Sequence, residues 1–247
     1  MSNLFKVEFY KLKTSKIFYL TMFLNLLQGI AIYAFSENFK LMSGKQAFTF
    51  ILSIQSSLAL DILIGIFASD YIVTEFTSGY IKNLISYGHK RIDIFVSKSI
   101  VYYIGIIVIT FIPALVLSSI NTKVNGYGEI FNLYSIIFLI KLFLIIMIIY
   151  IAIGSIFVLT AFISRNANIT IIVIVFLDFA NRILDIIAVQ KKSLEWIFYK
   201  SIFAQPGIVL SDKATTSEIL QAVLISLVII VATTVIGIYV FNKSDIK

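Results

Sequence analysis

Charged and polar residues fall into short clusters along this chain, separated by continuous apolar stretches of about 20 residues, the length at which an α-helix crosses the hydrocarbon core of a bilayer. The stretches show no alternation of apolar and polar positions, so helices rather than barrel strands are implied. Six spans are predicted, at about 17–35, 47–73, 99–120, 134–163, 169–188 and 218–241. The first follows a lysine-bearing start, but it is too long for a secretory leader and lacks a small-x-small cleavage site, so it is read as a retained span. The expected fold is an all-α integral membrane protein with one transmembrane domain over residues 1–247, since neither a repeat nor a low-complexity linker interrupts the pattern.

Three stretches do not fit a simple succession of spans. LFKVEFYKLKTSK, near the start, sets Leu4, Phe5, Val7, Phe9 and Leu12 among lysines at roughly helical spacing, which suits an elbow helix lying in the membrane interface; the plain alternative is an unstructured basic flank. EFTSGYIKNLISYGHKR, Glu75 to Arg91, is longer than a turn needs. Its Tyr80, Ile81, Leu84 and Ile85 oppose Lys82, Asn83 and Ser86, the pattern of a short amphipathic surface helix able to pass on a push from a cytoplasmic partner; the plain alternative, equally open on the residues alone, is a membrane-lying turn held by positive-inside lysines. Gly79 there would let another backbone approach closely, and Gly88 would end the helix in a left-handed residue. The third stretch, about 189–217, is too apolar for a solvated loop. Around Trp196 and Phe203 it forms a cluster too short to span, read as a re-entrant segment broken in two by Pro206-Gly207.

Charge then sets an orientation. With six spans both termini share a side, and Lys6, Lys11, Lys13, Lys16, Lys82, Lys90, Arg91, Lys98, Arg165, Lys243 and Lys247 share it with them. The other side carries Lys40, Lys45, Lys123, Lys191, Lys192, Lys200 and Lys213, mostly in the one long connection that counts least, so the termini are expected to be cytoplasmic. This topology explains the net charge of +7 better than a nucleic-acid partner does, because no soluble basic domain exists to hold one.

Composition narrows the chemistry. At 60% hydrophobic and 13% charged residues the chain lies outside the globular mixture. It has no cysteine and a single histidine, His89, which removes disulfides, thiol catalysis and a Cys- or His-rich metal site. There is no G-x-x-x-x-G-K-[ST] loop, so a pump built on this chain must take nucleotide energy from another subunit. A serine-based embedded enzyme stays open by residue type, although no paired base stands out.

Charges inside the spans are costly and therefore functional candidates. Asp178, Arg182 and Asp185, at i, i+4 and i+7, share one helix face with the arginine between two carboxylates. They read equally as a polar face lining a path or dimer seam and as an ion-pair ladder that makes insertion tolerable. Asp61, mid-span, is expected to face a helix partner or the transport path, Lys141 to snorkel outward, and Pro113 to kink the third span.

Glu75-Phe-Thr-Ser-Gly79-Tyr-Ile-Lys82-Asn-Leu84-Ile-Ser86, followed by Lys90-Arg91 and Lys98, resembles the E-x-x-x-G-x-[IL]-[KR]-x-L-L-[ST] … R … K signature of permeases of the ABC transporter type-2 class. More narrowly, the layout is similar to small six-span permeases of bacterial bacitracin-export, lantibiotic-immunity and amphipathic-peptide-export systems. The resemblance implies a permease of the bacterial cytoplasmic membrane rather than an enzyme. It would pair with an ABC-type ATP-binding subunit, where ATP and Mg would sit, so the chain would bind no cofactor itself, and with a second permease copy or a related one. Glu75, Gly79, Lys82 and Arg91 would then belong to a coupling helix that docks on the ATPase, and Trp196, Phe203, Pro206 and Gly207 to the outer re-entrant segment. An apolar or amphipathic peptide is the cargo expected of a path with so few charges. A non-transporting membrane sensor or assembly factor, and an embedded enzyme, are the alternatives.

Overall fold

The computed structural model describes residues 2–55, 58–211 and 213–244, and among them every regular element is helical. In a bilayer this follows from the lack of any partner for backbone N–H and C=O groups other than those the helix itself supplies. The chain opens with α1 (Ser2–Thr14) and turns at Ser15, whose hydroxyl accepts the Phe18 N–H at 3.1 Å to start α2 (Lys16–Phe35). A short α3 (Glu37–Lys40) precedes α4 (Gly44–Gln55) and α5 (Leu58–Ala68), and α5 runs on through a π-turn at Ser69–Val73. Next come α6 (Thr74–Thr77) and α7 (Tyr80–Ser86), then three long helices, α8 (Arg91–Asn125), α9 (Leu133–Ser164) and α10 (Ala167–Gln190). Two short helices, α11 (Glu195–Lys200) and α12 (Gln205–Leu210), lead into α13 (Thr216–Lys243).

Four helices, α2, α8, α9 and α13, are long and apolar enough to cross a membrane, and a bent pair makes a fifth candidate. The stretch expected as one span at 47–73 falls in that bent pair: Gly44–Gln55 and Ala59–Thr77 lie at 64° to one another. The third span is longer than its apolar run of 99–120, because polar residues at both ends continue the same helix. At about 1.5 Å per residue its 35 residues exceed a bilayer core and project beyond it.

Pro113 lies inside α8, which continues through it. Proline has no N–H, so the carbonyl of Ile109, four residues earlier, loses its helical donor. The buried Asn25 of α2 supplies the replacement, its Nδ2 donating to Ile109 O at 2.8 Å. At the end of the bundle away from the termini, Asn121 and Asn125 of α8 donate to the carbonyls of Phe39, Lys40 and Met42.

The break in the segment before the last span is not at Pro206-Gly207. It lies at Ser201–Ala204, and Pro206 sits in the first turn of α12, where a missing N–H costs nothing. Buried Gln205 bridges the break by donating to the carbonyls of Tyr199 (2.8 Å) and Ser201 (2.9 Å). Trp196 is exposed and Phe203 partly buried.

Candidate functional site

The first turn of α6 joins the elements around it on both sides. On one side, Leu4, Glu8 and Leu12 of α1, spaced i, i+4, i+8, form its buried stripe, so Glu8 is carried inward with two leucines. Glu8 Oε1 accepts from Lys11 Nζ at 3.2 Å, and its Oε2 accepts from Tyr71 Oη (2.8 Å) and from Lys98 Nζ (3.2 Å). Glu75 completes the group: Lys11 Nζ lies 2.7 Å from its Oε1 and Lys98 Nζ 2.5 Å from its Oε2. Two carboxylates and two ammonium groups thus share one nearly dry site, with Lys98 fully buried. Charges removed from water need such neutral, multiply bonded surroundings. Lys11 also lies 3.7 Å above the Tyr80 ring of α7. Burial pushes the Glu8 carboxyl up, but Lys98, Lys11 and the Tyr71 hydroxyl outweigh it and hold the group below the ordinary carboxylate range. Burial likewise pushes Lys11 down, and Glu75 and Glu8 outweigh it, leaving the ammonium above its ordinary range.

On the other side Phe76 enters an aromatic cluster. Its ring meets Phe162 of α9 edge-on at 5.4 Å and Phe241 of α13 at 6.0 Å, and Phe95 of α8 packs on Phe162 at 4.6 Å. The Arg165 guanidinium stands 5.4 Å from the Phe76 ring. Arg91 closes the end of α13, donating to the carbonyls of Phe241 (2.7 Å), Asn242 (3.0 Å) and Ser244 (2.6 Å), the acceptors a helix C-terminus leaves without partners. Through adjacent residues, then, α6 is attached to α1, α8, α9 and α13.

Beyond this anchored turn the chain presents a polar face. Ile81 and Leu84 of α7 are buried while Lys82, Asn83, Ser86, Tyr87 and Lys90 are exposed, as the amphipathic pattern predicts. Gly88 is left-handed at φ +86°, as expected, and so is Gly79 at φ +73°. A Cβ at Gly79 would meet nothing within 4 Å, so within this chain the glycine serves the backbone turn between α6 and α7 rather than a close approach. Of the four residues assigned to the coupling segment, Glu75 and Arg91 are engaged inside the chain, Gly79 shapes the turn, and Lys82 points to solvent.

The intramembrane charges form a second group. Asp178 is buried on α10, and Arg182 binds it with Nε 2.7 Å from Oδ2. Buried Asp61 of α5 comes close to the same carboxyl group where α5 packs on α10. Asp185 stays outside the group: it is exposed and makes no ion pair among the described residues, so the expected ladder with Arg182 between two carboxylates does not form. The partner that spacing along one helix hides is Asp61, more than a hundred residues earlier in the chain.

Glu8 escapes a reading based on spans, because it lies outside them in a lysine-rich flank. Its signal is positional: it is the one acid of that flank and falls on the leucine stripe.

Residues 4–181, well over half of the chain, match the family model described as ABC-2 family transporter protein. The match takes in α1, the anchored turn and both Asp61 and Asp178, and stops before the segment around Trp196. No curated protein matches the chain.

Proposed function

The chain belongs to the ABC-2 transporter family, and from that premise we propose that the face of α7 bearing Lys82 is where an ATP-binding subunit pushes on the membrane helices. The protein is a multi-pass membrane permease subunit of an ABC transporter, and membership in this family implies association with an ABC ATP-binding subunit. In our reading both termini are cytoplasmic, α10 is a sixth span beside the five candidates, and the permease acts as a pair, with itself or a related chain. ATP-driven closure of the partner subunits moves α6 and α7, and the anchored turn passes that displacement on.

The observation that carries this reading is the double attachment of residues 75 and 76. A surface helix tied by one charge network and one aromatic cluster to four other helices cannot move without them. A floppy loop would absorb the same force. Tyr87, 82% exposed, and the flanking Lys82 and Lys90 suit a partner surface that is partly apolar and acidic.

For cargo we favour an apolar or amphipathic peptide, such as an antimicrobial peptide taken from the membrane and expelled. The support is the sparse intramembrane charge, much of it self-neutralised in the Asp178–Arg182 pair. The test is reconstitution with the ATP-binding subunit. Wild type should co-purify with it and show peptide-stimulated ATP turnover, and Lys82→Glu should weaken the complex or uncouple turnover while leaving the fold intact. Labelling of a cysteine introduced at residue 83 by an impermeant reagent on intact cells would overturn the orientation.

A further inference from the structure

The end of the bundle opposite the termini holds a groove of about 510 Å³ between α4, α9, α12 and the start of α13. Among the described residues its charges are not balanced. Lys45 is neutralised by Glu129 at 3.0 Å and lies 4.6 Å from the Phe138 ring, while Glu129 also accepts from Ser135 Oγ at 3.1 Å. Lys141, in the same lining, has no carboxylate within ion-pair distance among the described residues. The Gln46 amide, its oxygen accepting from the Ser43 N–H at 3.1 Å, leaves its NH2 group as a further donor on the wall. Further along α9 from Lys141 the lining is apolar, with Leu142 and Ile145, and Val209 of α12 adds to it.

Depth identifies the ligand class. Lys141 lies eight residues into α9, about 12 Å from its start at about 1.5 Å per residue. A 32-residue helix is about 48 Å long, so one standing upright and centred on a hydrocarbon core of about 30 Å places Lys141 about 3 Å inside the core boundary. A lysine side chain reaches back from there to the level of lipid phosphates. An ammonium at headgroup depth with no carboxylate partner among the described residues, above an apolar lane, is complementary to an anion carrying acyl chains.

We propose that this groove is a binding site for an anionic phospholipid, with the headgroup phosphate on Lys141 and Gln46 and an acyl chain along Leu142 and Ile145. The site is independent of the coupling surface and rests on the orientation proposed above only for the leaflet, the outer one, from which the lipid comes. The lipid fills the path between α4 and α12 and thereby fixes the short helices against the spans.

The test uses the full chain purified in an uncharged detergent, with bound lipid counted by native mass spectrometry. Phosphatidylglycerol and phosphatidylcholine of identical acyl chains are compared, with inorganic phosphate as a third probe. Wild type should retain one phosphatidylglycerol in preference to phosphatidylcholine. Lys141→Gln should lower that retention about tenfold, the scale of one charge-assisted contact, and Lys141→Arg should preserve it. Ile145→Trp, which fills the acyl lane and leaves the charge in place, should also lower retention. The proposal is overturned if Lys141→Gln holds phosphatidylglycerol as wild type does, if phosphatidylcholine binds equally well, or if inorganic phosphate displaces the lipid at comparable concentration. Lipid retention is read without the ATP-binding subunit, so its failure is distinct from any failure of the coupling model.

Discussion

Glu75 and Lys98 meet at 2.5 Å, one at the start of the turn that faces the proposed partner, the other fully buried in the long helix that follows. Removing Lys98 leaves buried Glu8 and partly buried Glu75 with Lys11 as their one remaining cation among the described residues, and deleting one member of a buried pair typically costs about 3–5 kcal/mol. Lys98→Met should therefore cause a large loss of thermal stability in detergent. Lys98→Met combined with Glu75→Gln should lose less than the sum of the two single variants, a coupling that a double-mutant cycle on unfolding midpoints measures.

The same network sets a pH window. Glu8 has its folded pKa depressed, so its contribution is present above the ordinary value of 4.5 and is lost as pH falls through the folded value. Lys11 has its folded pKa raised, so its contribution is full below the ordinary value of 10.5 and is lost as pH rises through the folded value. Between these limits the network's contribution to a pH–melting curve should be flat. Glu8→Gln should remove the part of the acid limb due to this carboxylate; an acid limb identical to wild type would contradict the assignment.

Asn25 faces the carbonyl that Pro113 deprives of its donor. Asn25→Leu should destabilise the protein by about 1–2 kcal/mol, the usual cost of a buried acceptor left alone and the scale of interhelical hydrogen bonds in membranes. In a Pro113→Ala background residue 113 regains an N–H and the Ile109 carbonyl regains its helical donor. The cost of Asn25→Leu should then shrink, measured by denaturant unfolding of the four proteins.

Two substitutions separate attachment from shape in the coupling segment. Phe76→Ala removes a ring from the cluster with Phe162 and Phe241, and should cost about 3 kcal/mol and lower peptide-stimulated turnover more than partner binding. Gly79→Ala meets no neighbour but must hold a left-handed backbone, and should cost about 1 kcal/mol. Equilibrium unfolding and pull-down of the ATP-binding subunit read the two effects.

What the sequence determined by itself is which long apolar stretches are helical. Hydrocarbon leaves the backbone no partner but its own helix, so a long apolar run names its conformation without knowledge of its neighbours. The amphipathic face of α7 was legible for a similar reason, since a period of 3.6 residues is a local property. The tertiary structure decided what the charges do. Glu8, Glu75 and Lys98 lie far apart in the chain, and so do Asp61 and the Asp178–Arg182 pair; spacing along one helix suggested Asp185 as the second carboxylate near Arg182, where packing brings Asp61 instead. A buried charge is stabilised by whichever opposite charge is nearest in space, and that neighbour is set by how helices pack, which no local pattern records.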